Sequence, residues 1–405
     1  MKVWCLLRDQ FAHVRPIEAA FGGRAEFAID ETWDPASLIN SAPDLVLCVN
    51  DYYYDVACCL DAARQARIPS LVLQDGILEW RCQYENPLFG AGGGAPQHQP
   101  VLADKIACLG QRSARQIAAW GNAAKVEVTG MPRLDYLLAR QPMTQPKPRG
   151  RILMMTAKNP GFTTQQREIT LQSLNDVKTA LSQAPGVEIW WRVSKGVAAE
   201  LKVENRLEQI ASLELVKVLE EVDAVISTPS TAMLEAMLLG RPVAALDYPN
   251  VPRFLPTAWT ISARDHIGGV VAELLNPSAT KLAFQRDCLA DSLECNGPAA
   301  ERVVKLMKRM AELGREACRR GSALELPPDL LKSGRVCQVF TMPPLGMLYP
   351  AQSVFTESNL ENLQVRLARA ENERERLQLE NGELRKRVQL GSWLKAGMRH
   401  LTQTK

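Results

Sequence analysis

The sequence predicts an α/β protein made of two doubly wound parallel-sheet domains followed by a C-terminal coiled-coil helix. Short apolar runs alternate with helical periods from the first residue, the alternation stops at one proline-rich segment and restarts, and heptads replace it near the C-terminus. Alternating strands and helices predict parallel pairing, because parallel strands need a crossover that a helix provides. A length of 405 residues suits two domains and a tail rather than one core.

The first predicted domain covers residues 1–140, and a linker follows at 141–150. Apolar runs predict strands at 2–7, 44–49, 70–73, 105–109 and 125–128, and helical spacing predicts helices at 11–21, 52–66 and 111–120. The linker reads QPMTQPKPRG, which has three prolines and no apolar pattern.

The second predicted domain covers residues 151–320. Its predicted strands are 151–155, 187–192, 223–227 and 242–246, and its predicted helices are 165–182, 231–239, 264–275 and 299–319. Two Rossmann-like halves joined by a short linker imply a ligand cleft between them, at the carboxyl ends of the strands.

The C-terminal part changes character in three steps. Residues 321–357 are proline-rich and predict an irregular, poorly packed connector, 358–390 predict a coiled coil of about four heptads, and 391–405 form an amphipathic tail. Arg374 and Asn381 occupy two a positions, and the other a and d positions are apolar: Leu360, Leu363, Leu367, Ala370, Leu377, Leu384 and Val388. A single Asn at an a position favours two parallel strands, so we expect a homodimer through 358–390. The alternative is one amphipathic helix lying on the globular body.

Composition limits the function classes. Lys plus Arg number 48 and Asp plus Glu 45, and this balance argues against nucleic acid as a partner. The ten cysteines contain no CxxC pair, which indicates buried free thiols in a reducing cytosol rather than a metal site. No run approaches the roughly 18 apolar residues of a membrane span. We therefore expect a cytoplasmic protein, with peripheral contact at the inner membrane face through the amphipathic tail.

One segment carries most of the chemical information, AVISTPSTAMLEAMLLGRPVAAL at 224–246. An apolar strand runs into four hydroxyls, a helix begins, and Glu235 follows; the hydroxyls are Ser227, Thr228, Ser230 and Thr231. Hydroxyls and free backbone N–H groups at a helix N-terminus favour phosphate binding. The alternative is an ordinary helix cap, which accounts for one hydroxyl only, and Glu235 lies off the capping-box spacing.

This pattern, D-AVIST-PST-A-EA-LLGRPV, resembles the donor-binding segment of GT-B glycosyltransferases. It is most similar to the bacterial surface-polysaccharide group that includes CDP-glycerol glycerophosphotransferases and polysialyltransferases. The segment VTGMPRLDYL at 128–137 resembles the motif before the interdomain linker in the same group, and the resemblance covers roughly residues 1–310. It implies that Ser230 and Thr231 hold the donor phosphates, that Glu235 binds the ribose, and that Lys158 in TAKNPG faces the donor. A solvated surface lysine is the alternative for Lys158.

The sequence departs from the family pattern at two turns. Many relatives carry a PHP turn whose His binds the donor phosphate, but this chain reads WWRVSKG there, so Arg192 or Lys195 is expected to supply the positive charge. Relatives place HG after a first-domain strand where this chain has LVLQDGILEW, and there Asp75 takes the place of the His.

Asp75 is the predicted general base. A carboxylate at the C-terminal end of a strand, facing a cleft, suits deprotonation of an acceptor hydroxyl. The alternative is an ordinary Asx-turn, and Glu79 and Glu85 are the nearby substitutes. His98 and His266 are predicted to be surface residues.

The resemblance implies an inverting glycosyltransferase that needs neither metal nor cofactor. It would transfer a sugar from a nucleotide-activated donor to a surface-polysaccharide or lipid-linked glycan acceptor. Three alternatives stay open: a CDP-alditol polyolphosphate transferase, a non-hydrolysing sugar epimerase, and a catalytically inactive GT-B scaffold that dimerises through its coiled coil.

Overall fold

The computed structural model describes residues 1–332 except 9, 88–95, 139, 141–148, 158–160 and 205–214, and in the tail 367–368, 370–371, 374–378 and 381–382. Both sheets belong to one compact unit, Met1–Gln338, and Val339–Lys405 form another. The predicted linker lies largely outside the described residues, and Lys158 lies wholly outside them.

The first sheet has six parallel strands in the order β2-β1-β3-β4-β5-β6. The strands are β1 (Lys2–Leu6), β2 (Glu26–Asp30), β3 (Leu45–Cys48), β4 (Ser70–Leu73), β5 (Lys105–Cys108) and β6 (Val126–Val128). The helices are α1 (Phe11–Phe21), α2 (Pro35–Ser41), α3 (Tyr54–Gln65), α4 (Gln111–Ile117) and α5 (Asp135–Leu138), with single π-helical turns at Arg81–Glu85 and Ala118–Asn122 and a 3-10 turn at Pro132–Leu134.

The second sheet has five parallel strands in the order β11-β10-β9-β7-β8. The strands are β7 (Arg151–Met155), β8 (Glu188–Arg192), β9 (Ala224–Ser227), β10 (Val243–Leu246) and β11 (Trp259–Ile261). The helices are α6 (Thr164–Ser182), α7 (Lys195–Leu201), α8 (Leu215–Glu221), α9 (Ala232–Leu238), α10 (His266–Leu275), α11 (Ala279–Ser292) and α12 (Ala299–Arg320).

Both sheets are buried between layers of helices. The central strands β3, β4, β5, β9 and β10 are buried at every residue, which is typical of parallel strands covered on both faces. Apolar clusters flank both sheets, and one cluster of the second sheet also contains Leu109, Met131 and Leu134 of the first domain. Apolar packing therefore continues from one domain into the other.

Each sheet has one topological switch point, where consecutive strands lie on opposite sides of a starting strand. In the first sheet it lies between β1 and β3, and in the second between β7 and β9. Loops diverge at such a point and leave a crevice at the carboxyl ends of the strands, which is where doubly wound sheets bind ligands.

The last helix of the body differs from the predicted domain division. The sequence places α12 in the second domain, but Val303, Met307 and Met310 of this helix are buried in an apolar cluster with residues of β1 and α1. The apolar side of α12 packs against the first sheet and α1. The chain therefore returns to its first domain before the tail begins.

The segment after α12 is irregular, as expected, but it is well anchored. Lys105 and Glu127 form a fully buried ion pair at 2.9 Å. Lys105 also donates to the carbonyl of Pro327 (2.7 Å), and Glu127 accepts the backbone N–H groups of Leu330 (2.7 Å) and Leu331 (3.1 Å). These bonds satisfy the buried charges of Lys105 and Glu127 and attach residues 327–331 to the first domain, while residues 321–332 themselves stay partly or fully exposed.

The coiled coil predicted at 358–390 falls mostly outside the described residues. Those described within it, such as 374–378, are helical, and pairing with a second chain stays a prediction. Among the described helices, none is long and apolar enough to cross a bilayer.

Candidate active site

The carboxyl ends of the two sheets meet through the loop that follows β4. The backbone N–H of Ile77 donates to Thr231 Oγ1 of the second domain at 3.2 Å. A Cβ added at Gly76 would lie only 2.5 Å from that hydroxyl oxygen. A side chain at position 76 would displace the Thr231 hydroxyl, so glycine allows this close approach between the domains.

Gln74 fixes the shape of the same loop. Its amide nitrogen donates to the carbonyl of Gly76 at 2.8 Å, and its amide oxygen accepts the backbone N–H of Leu109 at 3.1 Å. Both bonds come from a side chain that is buried. The residue between Gln74 and Gly76 is thereby held at the end of β4, facing the second domain.

Asp75 occupies that position. Asp75 is exposed to solvent, and neighbouring protein atoms partly desolvate its carboxyl. This desolvation raises the pKa of Asp75, while the positive charges of His98 and Arg133 act in the opposite direction. No other described residue donates a hydrogen bond to its carboxylate, so the side chain is available to a ligand.

His98 contradicts the expectation of a surface residue, since it is only 6% exposed. Its Nδ1 atom lies 3.8 Å from Oδ1 of Asp51, a fully buried carboxylate that accepts the backbone N–H of Leu102 at 2.7 Å. Burial lowers the pKa of His98, and the carboxylates of Asp51 and Asp75 oppose that shift. The charges of His98 and of the predicted base therefore influence each other, while the carboxylate in contact with His98 is that of Asp51.

The substitutes for Asp75 are already engaged by neighbours. Glu79 forms an ion pair with Arg81 at 2.7 Å, and burial raises the pKa of Glu79. Glu85 accepts a hydrogen bond from Gln166 of the second domain at 2.6 Å. Asp75 is the carboxylate of the three with no such bond.

Arg133 brings an unpredicted charge into the cleft. Its Nη1 atom donates to Oε1 of Glu235 at 3.1 Å, which joins the two domains. Glu235, the residue that the resemblance assigns to the ribose, is buried. The same arginine, together with burial as the larger cause, lowers the pKa of His13 to about 4.

The motif around Arg133 explains why it reaches that place. Gly130 has a φ of +83° and lies against the carbonyl of Glu294, where an added Cβ would approach to 2.6 Å. Asp135 accepts the backbone N–H groups of Ala299 (2.7 Å) and Ala300 (2.8 Å), which caps α12. The sequence motif therefore fixes both Arg133 and the returning helix.

The four hydroxyls of the second domain do not share one role. The Ser227 hydroxyl donates to the carbonyl of Thr228 at 2.7 Å, and Thr228 Oγ1 accepts the backbone N–H of Ala157 at 2.9 Å; both residues are buried. Ser230 Oγ lies 3.2 Å from Ser227 Oγ. Thr231 makes no side-chain bond to its own helix, so capping does not explain it, and its hydroxyl meets the first domain instead.

Four polar atoms at the carboxyl edge of the second sheet are buried without a hydrogen-bond partner among the described residues. They are Thr156 Oγ1, after β7, Nε of Arg192, at the end of β8, and both carboxylate oxygens of Asp247, after β10. Burial lowers the pKa of Arg192, and Glu235 acts in the opposite direction. Lys195 is exposed at the start of α7. Buried polar groups are rarely left unsatisfied, and a ligand is one explanation for those that are.

The fold of this chain is similar to those of several solved structures. The S. aureus MnaA structure with UDP is 14% identical with a TM-score of 0.51, covering 81% of this chain and 99% of that one. The Methanocaldococcus jannaschii UDP-GlcNAc 2-epimerase with UDP-GlcNAc and UDP is 11% identical with a TM-score of 0.52 (76% and 99%). The Neisseria meningitidis UDP-GlcNAc 2-epimerase bound to UDP-GlcNAc is 14% identical with a TM-score of 0.50 (76% and 100%).

At these identities the likeness shows the fold alone, and the GT-B-type fold predicted from the sequence is confirmed. No model of a known protein family matches the chain, and no curated protein sequence matches it.

Proposed function

We propose that this chain is a glycosyltransferase that takes a sugar from a nucleotide-activated donor and passes it to a surface-polysaccharide or glycolipid acceptor. The observation that carries the proposal is the position of Asp75, a carboxylate to which no other described residue donates a hydrogen bond, in the loop that contacts Thr231 across the cleft. One face of the cleft thus offers a base, and the other offers groups suited to phosphate.

The donor is proposed to lie at the switch point of the second sheet. Ser230, Thr231 and Arg192 are the groups that we assign to its phosphates, and Glu235 to its ribose. The unpartnered Oγ1 of Thr156 and Nε of Arg192 at this edge support the assignment, because phosphate oxygens accept hydrogen bonds from both. The solved structures of similar fold were determined with UDP or UDP-GlcNAc. Ser227 and Thr228 use their hydroxyls in hydrogen bonds that hold the loop after β9 in place. Lys158 and Lys195 are proposed as further contacts to the donor.

The proposed chemical step needs a proton acceptor and charge stabilisation. The acceptor hydroxyl attacks the anomeric carbon, its proton passes to the carboxylate of Asp75, and the nucleotide leaves with the electron pair of the broken C–O bond. Arg192 and the nearby backbone N–H groups stabilise the phosphate charge that grows as the bond breaks. We propose inversion at the anomeric carbon and no requirement for a metal ion.

Epimerisation of a nucleotide sugar is the second candidate. The electrostatic interaction between Asp75 and His98 supports it, because two titratable groups near a bound sugar suit proton removal and return. Two of the matched structures are named as UDP-GlcNAc 2-epimerases. Transfer from a CDP-alditol and an inactive scaffold are the remaining alternatives, and both are outcomes of the same test.

The test is a panel of UDP-, GDP-, CMP- and CDP-linked donors, including UDP-GlcNAc and a CDP-alditol, incubated with the full chain. Released nucleotide and the configuration of the remaining donor are both measured. We expect the protein to release nucleotide from a sugar donor, and we expect an added acceptor to stimulate this release. Epimerised donor without net release would assign the second candidate, and a protein that neither binds nor turns over any donor would overturn the enzyme proposal.

Residues 358–390 are proposed to pair two chains, which places two copies of 391–405 side by side at an anionic membrane surface inside the cell. Sedimentation of the full chain and of a chain ending at Glu357 checks this. We expect a dimer only for the full chain, and equal monomeric masses would refute the pairing.

A further inference from the structure

A cavity lies at the switch point of the first sheet, on loops that the proposed mechanism does not use. It has a volume of about 300 Å³ and is lined by Leu6, Arg8, Gln10, Trp33, Asn50 and Tyr53. These residues come from the ends of β1 and β3 and from the loop after β2, where the crevice of a doubly wound sheet is expected. The volume is at the lower end for small-molecule sites, which suits one sugar residue rather than a whole nucleotide sugar.

The charge in this cavity is Arg8. Its guanidinium carbon lies 3.6 Å from the centroid of the Trp33 ring, and Nε donates to the carbonyl of Glu31 at 3.2 Å. No described carboxylate pairs with it, so both terminal nitrogens remain available. An arginine held on an aromatic face loses little freedom on binding, and its fork of donors matches a carboxylate or phosphate.

Trp33 is held in a strained conformation that fixes the place of Arg8. Its φ is +58°, a region that a tryptophan seldom adopts. Asp30 imposes the turn, because its Oδ1 atom accepts the N–H groups of Thr32 (2.9 Å) and Trp33 (3.0 Å). The ring of Trp33 also stacks on that of Tyr53, with ring centroids 5.7 Å apart. Strain that the surroundings hold so firmly is typical of ligand sites.

Neutral polar groups surround the charge. The side-chain amides of Gln10 and Asn50 make no hydrogen bond to a described residue, and Nε1 of Trp33 is buried without a partner among the described residues. Amide and indole groups of this kind bind hydroxyl groups well. The cavity therefore combines one cationic group with several neutral donors and acceptors.

The cavity and Asp75 lie at the same edge of the first sheet, because Asn50 follows β3 and Asp75 follows β4, the strand that pairs with β3. Tyr52 packs against Tyr53 of the cavity. Its ring centroid lies 4.7 Å from that of Tyr53. Burial is the main cause of the raised pKa of Tyr52, and the charge of Asp75 contributes to it. A ligand in the cavity would consequently lie on the first-domain side of the proposed base, where an acceptor is needed.

We propose that the cavity binds an anionic sugar residue of the acceptor, with Arg8 on its charged oxygens and Gln10 and Asn50 on its hydroxyls. The inference rests on the proposed function, since it assigns the acceptor of the same reaction. Carboxylated sugars and phosphorylated sugars share the required chemistry, and the test separates them.

The experiment measures binding of four probes to the full chain by calorimetry, without any donor. The probes are glucuronate, glucose 1-phosphate, glucose and inorganic phosphate at constant ionic strength. One or both anionic sugars should bind at least about tenfold more tightly than glucose and phosphate, because the site recognises charge and hydroxyls together. Which anionic sugar binds identifies the charged group.

Three variants assign that binding to the cavity. Arg8→Gln should remove the preference for the anionic sugar. Gln10→Glu should weaken binding of the anionic sugar more than binding of glucose, because only the anionic sugar is repelled by the new charge. Arg15→Gln is the matched control, an exposed arginine on α1, and should bind as the natural protein does. Thermal unfolding confirms that each variant is folded.

Equal binding of glucose and the anionic sugars, or unchanged selectivity in folded Arg8→Gln, would overturn the proposal. If phosphate bound as tightly as glucose 1-phosphate, the cavity would be an anion site and not a sugar site. If free nucleotide displaced the bound sugar, the cavity would belong to the donor and not to the acceptor. None of these results depends on turnover, so failure here is distinguishable from failure of the donor panel.

Discussion

The two sheets end in loops of different chemical character, although both are parallel, buried and open at a switch point. The first sheet presents groups that titrate or carry full charge, namely Asp75, His98 and Arg133. The second presents hydroxyls and backbone N–H groups, and its charged groups are Arg192 and two buried carboxylates, Glu235 and Asp247. Under the proposed function, the first edge serves proton transfer and the second serves binding of the donor phosphates.

The contacts between these edges indicate that the proposed reaction needs both of them. Ile77 reaches Thr231, and Arg133 reaches Glu235, so each edge positions a residue of the other. A base is useful only when the leaving group is held at a fixed distance from the attacking hydroxyl. A change to Asp75 should therefore affect turnover most, and changes to the second edge or to the Arg133–Glu235 ion pair should affect nucleotide affinity.

The largest effect is expected at Asp75. Asp75→Asn removes the base while keeping the shape, so turnover should fall by roughly 10²–10⁴-fold with nucleotide affinity retained. Steady-state kinetics and calorimetry on the same preparation measure the two quantities. Asp55→Asn, an exposed carboxylate on α3, is the control and should be unaffected. Near-normal turnover in Asp75→Asn would move the role of base to Glu79 or Glu85.

An intermediate effect is expected at the ion pair between the domains. Arg133→Gln leaves Glu235 without its charged partner, and a charge-assisted hydrogen bond is worth about 1.5–3 kcal/mol. Nucleotide affinity should drop by roughly 10–100-fold. Arg140→Gln is the matched control, because Arg140 pairs with Glu220 at an exposed position. An equal loss in both variants would mean that general domain contact, rather than the cleft, sets the affinity.

A smaller effect is expected from pH. Burial raises the pKa of Asp75 above its ordinary 3.8, and the base must be ionised. Activity should accordingly fall about tenfold per pH unit below that raised pKa. Since Arg133 lowers the pKa of Asp75, the Arg133→Gln variant should lose activity at a higher pH. If activity fell at the ordinary pKa of an aspartate, and at the same pH in Arg133→Gln, Asp75 would be excluded as the group whose protonation causes the fall.

Much of the fold could be predicted because its strands are buried on both faces. LVLC of β3 and AVIS of β9 are continuous apolar runs, and such runs stand out in a sequence. The sequence does not predict strand β2, since its residues, EFAID, lie at the edge of the sheet and are mostly accessible. The three-residue strand β11 is too short to give a pattern.

The candidate site was harder to predict because its contacts are not local. Arg133 and Glu235 are 102 positions apart, and nothing near His98 in the sequence announces the buried Asp51 beside it. The motif VTGMPRLDYL marks the right segment, but only the structure brings its arginine to Glu235. Conversely, four adjacent hydroxyls suggest one shared role, whereas Ser227 and Thr228 serve the loop itself.

The most direct test of the account is nucleotide binding to the edge of the second sheet. Calorimetry with UDP, GDP, CMP and CDP should find at least one nucleotide that binds the natural chain, and Ser230→Ala with Thr231→Ala should weaken it by about tenfold or more. The matched control is Thr179→Ala with Ser182→Ala, whose hydroxyls bond back to their own helix. An unchanged affinity in the Ser230/Thr231 variant, or no binding of any nucleotide to the natural chain, would contradict the account.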